Sequence, residues 1–140
     1  MIPYGKQNIS NEDIEAVKDV LSSDFLTQGP VVPKFEDSVR KYVDCNFAYA
    51  TNSATSALHI ACLSIGLTKG DILWTSPNSF VASSNCALYC GAKVDFVDIC
   101  LDTYNICINS LEEKLVTAKK ENRLPKILIP VHLSGNPCDM

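Results

Sequence analysis

The sequence is poor in the features that mark several large classes of protein. It has no apolar stretch near the ~20 residues that cross a bilayer, and Met1-Ile2-Pro3-Tyr4 opens no signal-peptide pattern, so we expect a cytoplasmic protein with no membrane partner. Clustered basic charge is scarce. Twelve Lys and Arg stand against 16 Asp and Glu, giving a net charge of -4, and a nucleic-acid surface would need the reverse balance. No low-complexity run or flexible linker interrupts the chain. There is no paired CxxC and no glycine-rich loop ending in Lys-Ser or Lys-Thr, so neither a zinc site nor a nucleotide P-loop is expected. Seven cysteines are present, an odd number, and Cys62, Cys86 and Cys100 lie within apolar patterns that read as buried reduced thiols.

A hydrophobic fraction of 46% over 140 residues is enough for a core and for one domain. Ser10-Asn11-Glu12-Asp13 has the form of a helix N-cap with acidic residues in the first turn. Ile14, Val17, Val20 and Leu21 follow at helical spacing, with an end expected near Ser22. The loop Asp24 to Pro30 leads to a second amphipathic helix marked by Phe35, Val39, Tyr42 and Val43. Beyond that point the pattern changes to short apolar runs of strand length, Phe47 to Thr51, Ile72 to Ser76, Val94 to Ile99 and Ile127 to Val131. Helical stretches at Ala54 to Ile65, Val81 to Tyr89 and Ser110 to Lys120 separate them. This alternation predicts an α/β layer, a mostly parallel sheet with helices on both faces and strands buried on both faces, preceded by two helices. The expected organisation is a single domain, with a helical segment at 1–45 and an α/β part at 46–140.

Ligands of such sheets lie beyond the carboxyl ends of the strands, which directs attention to the strand-to-helix turns. In the first, Thr51-Asn52-Ser53-Ala54-Thr55-Ser56, free N–H groups and hydroxyls at a helix start suit a phosphate, and the same residues equally suit simple N-capping. The second, Pro77-Asn78-Ser79-Phe80, puts an aromatic ring after a polar turn. That ring can stack on a flat ligand or merely staple the following helix, where Ser84 and Asn85 are polar. The third turn, His132 to Pro137, carries one of two histidines, as fit for a structural hydrogen bond as for function. The other, His59, sits in an apolar helix and reads as a packing residue.

Taken in order, several motifs resemble the DegT/StrS-type sugar aminotransferases of the aspartate-aminotransferase-like fold. They are Ile2-Pro3-Tyr4-Gly5-Lys6, Leu26-Thr27-Gln28-Gly29-Pro30, Asn52 to Leu58, Pro77 to Ala82, Gly91-Ala92, Asp102 to Ile106 and Pro130 to Pro137. Asn-Ser-Ala-Thr-Ser and Leu-Thr-Gln-Gly look most like the branch that aminates a UDP-linked 4-keto-6-deoxy-N-acetylhexosamine on the pseudaminic acid route. The resemblance implies pyridoxal 5'-phosphate as cofactor, with Ser53, Ala54 and Thr55 at its phosphate, Phe80 stacked on its ring and Asn85 lining the site. It implies nucleotide-sugar contacts from Tyr4, Phe25, Leu26, Thr27, Gln28 and His132, glutamate as the usual amino donor, and a homodimer. The stretches Ile99-Cys100-Leu101 and Ile106-Cys107-Ile108-Asn109 depart from the acidic or polar residues more usual in relatives.

The acid-base lysine and the carboxylate of this family lie beyond position 140, and Lys6, Lys69, Lys93 and Lys126 fall in terminal, turn or strand-edge contexts. The expectation is an amino-terminal fragment with no residue assigned as catalytic, inactive alone, that binds the cofactor weakly or not at all. Two alternatives stay open: a non-catalytic, self-associating module, and a sugar dehydratase of the same fold with a histidine in place of the lysine.

Overall fold

The computed structural model describes residues 5–140, so Tyr4 lies outside the described residues. The chain divides into two compact units, the first running to Ala50 and the second Thr51–Met140.

The first unit holds two helices. Helix α1 (Asn11–Leu21) begins at a reciprocal cap: the Ser10 hydroxyl accepts the Asp13 N–H at 3.3 Å, and the Asp13 carboxylate accepts the Ser10 N–H at 2.8 Å. It ends at Ser22, as the spacing predicts. Helix α2 (Val31–Tyr42) starts after Pro30, whose fixed φ suits a helix entrance. On its surface Asp37 pairs with Arg40 at 2.7 Å and with Lys41 at 2.6 Å. The hydrogen bond from Lys41, then that from Arg40, holds the Asp37 carboxyl below its ordinary pKa. The strand expected at Phe47 to Thr51 is absent. A strand needs a neighbour for its backbone groups, and the Ala50 N–H instead donates to the Glu36 carboxylate at 2.8 Å.

The second unit is a three-layer α/β arrangement. Strands β1 (Ile72–Thr75), β2 (Lys93–Phe96) and β3 (Ile127–Ile129) form a parallel sheet in the order β2-β1-β3. The register pairs Leu73 with Val94 on one side and with Ile127 on the other. Helix α3 (Ala54–Ser64) leads into β1, and α4 (Ala82–Tyr89) and α5 (Ile108–Lys120) provide the two crossovers. Because side chains alternate along a strand, β1 feeds two cores. Leu73 faces Cys62, Leu67, Cys86, Ala87 and Ala92 from the α3 and α4 side. Ile72 and Trp74 face Leu111, Leu115 and Ala118 from α5. Leu73 is fully buried, which by area transfer is worth about 2 kcal/mol. Helices therefore cover both faces of the sheet, as expected.

Burial on both faces holds for β1 alone. Lys93, Asp95 and Phe96 of β2 and Leu128 of β3 are exposed, because each outer strand has one hydrogen-bonded neighbour among the described residues. The thiols of Cys62 and Cys86 are buried as expected, whereas Cys100 is only half-buried, because the run from Val94 leaves the sheet after Phe96. Gly91 ends α4 with φ of +73°, where its N–H reaches the Leu88 carbonyl at 2.9 Å and the next N–H, of Ala92, reaches that of Ala87 at 3.0 Å. A side chain there would be strained, which explains a glycine at this turn.

Candidate functional site

The carboxyl edge of the sheet gathers three of the segments singled out by sequence. β1 ends at Thr75, and its outgoing turn carries Ser76 to Phe80 into α4. β3 ends at Ile129 and leads to His132, with the two strand ends tied by the Thr75 hydroxyl, which donates to the Ile129 carbonyl at 2.9 Å. Helix α3 enters the amino end of β1 through the turn 65–71. Its own amino end, Ser53 to Ser56, accordingly points back toward the carboxyl edge.

At that helix start the two readings of the Ser/Thr-rich turn separate residue by residue. Ser53 is the cap: its Oγ accepts the Ser56 N–H at 3.2 Å and contacts the Ser56 hydroxyl at 3.1 Å, while that hydroxyl donates to Asn52 at 2.7 Å. The Ala57 N–H closes the first helical bond on the Ser53 carbonyl at 3.0 Å. The N–H groups of Ala54 and Thr55 and the Thr55 hydroxyl have no hydrogen-bond partner among the described residues. An 11-residue helix with two open donors at its positive end suits an anion.

Phe80 is exposed, with 76% of its surface open, so it does not staple the helix behind it. It borders a hollow of about 240 Å³ lined also by Thr75, Ser76, Ser83 and Phe96. Ser76 was not singled out by sequence. Its hydroxyl is buried and without a partner among the described residues, at the very end of β1. A polar atom left unsatisfied at a strand's carboxyl end is an observation of three dimensions, and the dipeptide Ser76-Pro77 gives no hint of it. Asn85 sits half-buried in α4 and does not line the hollow. His59 touches Tyr89 edge-on, with ring centroids 5.2 Å apart, in keeping with a packing role.

The loop Phe25 to Gln28 belongs to the first unit and is described by itself. Phe25 and Leu26 are 61% and 65% exposed. Gln28 adopts φ of +54°, and a Cβ on Gly29 would come within 3.0 Å of the Phe25 carbonyl oxygen. A side chain at position 29 would need the Phe25 backbone and Cβ to give way by a few tenths of an ångström.

Four lysines, Lys18, Lys41, Lys114 and Lys126, are held in ion pairs among the described residues. Lys126 precedes β3, at the opposite edge, and bonds the Gly66 carbonyl at 2.6 Å and Asp71 at 2.8 Å. Lys114 bonds Asp95 at 2.8 Å and lies 4.9 Å above the Trp74 ring. No helix among the described residues is long and apolar enough to cross a membrane. No group of three metal-ligating side chains occurs among them.

Over residues 7–140 the sequence matches the DegT/DnrJ/EryC1/StrS aminotransferase family. The chain belongs to this family. A UDP-4-amino-4,6-dideoxy-N-acetyl-beta-L-altrosamine transaminase of Campylobacter jejuni is 41% identical over 140 residues, all of this chain and 36% of that protein. Helicobacter pylori PseC, an aminotransferase involved in the biosynthesis of pseudoaminic acid, superposes with a TM-score of 0.86 at 29% identity. The match covers 98% of this chain and 36% of PseC. The PLP form of the sugar aminotransferase Spr1654 from Streptococcus pneumoniae superposes with a TM-score of 0.85 at 28% identity, over 99% of this chain and 34% of that one. The chain thus spans about a third of the length of these relatives. The parallel α/β fold and the family are those that the motifs imply.

Two of the cysteines have thiols shifted in opposite directions. Cys107, at the start of α5, has its thiol held below the ordinary pKa by a hydrogen bond from the Ser110 hydroxyl, then by the N–H groups of Ser110 and Asn109. Burial pushes the Cys62 thiol up to about 11, helped by its hydrogen bond with Cys86. A lowered pKa means more thiolate at neutral pH and a raised one means less. With iodoacetamide at ~pH 7.5, Cys107 is expected to be alkylated well ahead of Cys62 in the folded chain. Peptide mass spectrometry checks this, and equal labelling of the two would contradict it.

Proposed function

We propose that this chain carries the phosphate-binding and ring-contacting part of a pyridoxal-phosphate-dependent aminotransferase that acts on a nucleotide-linked 4-keto sugar. The observation that supports the reading most is the pair of open N–H groups on Ala54 and Thr55, at the same sheet edge as Phe80. Similarity to the Campylobacter UDP-4-amino-4,6-dideoxy-N-acetyl-beta-L-altrosamine transaminase favours a UDP-linked 4-keto-6-deoxy-N-acetylhexosamine as acceptor, with glutamate as amino donor.

The residues present fit such a cofactor. Two N–H donors at a helix start and the Thr55 hydroxyl match three oxygens of a phosphate monoester, and the helix dipole favours its negative charge. The buried, unpartnered Ser76 hydroxyl gives the edge one further polar group. When bound, pyridoxal phosphate supplies the electron sink on which amino transfer depends. The chain's part is to hold and orient. Ala54 and Thr55 take the phosphate, with Ser53 shaping the turn through its cap. Phe80 offers an open ring face that covers the cofactor and keeps water from it, and Asn85 approaches from α4. His132 contacts the nucleotide sugar, and the family resemblance gives that role also to Phe25, Leu26, Thr27 and Gln28 of the first unit and to Tyr4.

The proton-moving lysine is not among these residues, so we infer that the 140-residue chain by itself binds the cofactor weakly and does not transaminate. We also infer a homodimer. Exposed Ile60, Leu63, Leu88 and Tyr89 on α3 and α4 support self-association. Sedimentation at micromolar concentration is expected to give a species heavier than a monomer, and a clean monomer would overturn this part of the reading.

Ala54 is the first residue of α3, where proline is tolerated, and Ser53 before it is already extended at φ -163° and ψ 156°. Ala54→Pro therefore deletes one open donor and leaves the helix intact. Pyridoxal-phosphate binding, followed by its absorbance or by calorimetry, is expected to weaken about tenfold or more, the scale of a lost hydrogen bond to a charged group at ~1.5–3 kcal/mol. Unchanged binding in a variant with native circular dichroism would sink the phosphate assignment.

A further inference from the structure

Asn105 is 4% exposed and lies in the turn that closes the hairpin-like bridge between Ile99 and Ile106. Its side-chain amide makes three hydrogen bonds, all to one target, the segment that follows β3. Nδ2 donates to the Asn136 carbonyl at 3.0 Å and the Pro137 carbonyl at 3.2 Å, and Oδ1 accepts the Leu133 N–H at 3.1 Å. These bonds span 28 to 32 residues of sequence. The segment they clasp is not one the backbone adopts unaided: Ser134 and Gly135 are consecutive residues at φ +53° and +81°. Within the same segment the Cys138 N–H donates to His132 Nδ1 at 3.0 Å.

An imidazole nitrogen that accepts a hydrogen bond carries a lone pair and no proton, so the neutral ring must hold its proton on Nε2. We infer that Asn105 is a positioning residue: by clamping Leu133 to Pro137 it keeps the Cys138 N–H on Nδ1 and presets His132 as an Nε2–H donor. His132 is exposed and stands just past the carboxyl end of β3. Nε2 has no partner among the described residues. The ligand group it meets is then a hydrogen-bond acceptor, an oxygen of a sugar hydroxyl, a carbonyl or a phosphate, and not a donor without a lone pair such as an ammonium. That a sugar nucleotide provides this oxygen rests on the function proposed above, whereas the tautomer and the clamp rest on this chain's own bonds.

The test is ¹⁵N NMR of the labelled chain. In the wild type, His132 is expected as the Nε2–H tautomer, and the Leu133 and Cys138 amides and the Asn105 side-chain amide are expected to exchange slowly with solvent. Asn105→Asp keeps size and the Oδ1 acceptor but sets a second acceptor against two carbonyls. It should mix the His132 tautomers and speed exchange at Leu133 and Cys138 about tenfold or more. A merely structural residue would lower the melting temperature with the tautomer ratio unmoved, and that result in a folded variant would overturn the inference. Should Asn105→Asp fail to fold, Cys138→Pro removes the donor to Nδ1 directly. Loss of the tautomer preference there, with slow Asn105 side-chain exchange in the wild type, supports the inference, and retention of the preference or fast wild-type exchange overturns it. Pyridoxal-phosphate binding measured alongside tells the two claims apart. Wild-type chain that binds no cofactor yet shows the tautomer defeats the proposed function alone.

Discussion

The second unit is organised by the burial of β1 on both of its faces. Leu73 points into the α3 and α4 layer and Trp74 into the α5 layer, and each is at most 2% exposed. Strands β2 and β3 flank it in parallel, so all three end at one edge. That single constraint brings the outgoing turns at Ser76 and His132 to the same side. It also sends the start of α3 there, because the helix must run against β1 to enter it. The candidate site follows from the core, since the sheet, and no local feature of Ser53, Phe80 or His132, sets which edge each of these segments faces.

Much of this was legible in the sequence, for identifiable reasons. Ser10 caps α1 as the sequence predicts, and the acidic Asp13 of the first turn closes a capping box with it, because the interaction spans only three residues. Short apolar runs at Ile72, Val94 and Ile127 became strands, because their flanking helices had enough apolar residues to cover them. The Phe47 to Thr51 run did not, because strand formation depends on a partner that one apolar stretch does not contain. At the turn before α3 sequence left capping and anion binding as competitors. The bonds divide the work: Ser53 caps, and Ala54 and Thr55 keep open donors.

The residues that sequence passed over act at long range. Asn105 sits inside a motif that suggests family membership, but its meaning comes from bonds to Leu133, Asn136 and Pro137, far along the chain. Ser76 is one serine among many until its burial and lack of a partner single it out. Position 29 is a glycine in a motif, and the approach of the Phe25 backbone shows how little room a side chain would have there. Pattern reading finds short-range chemistry well, whereas a polar group's role is set by what the fold brings to it.

The account's central claim is that a phosphate group docks on the open amino end of α3 at the carboxyl edge of the sheet. Titrating pyridoxal phosphate into the ¹⁵N-labelled chain tests it most directly. The account expects the largest amide shifts at Ala54 and Thr55, with lesser shifts around Ser76 to Phe80. Shifts confined to other surfaces, or equal shifts spread over exposed lysines, would contradict it.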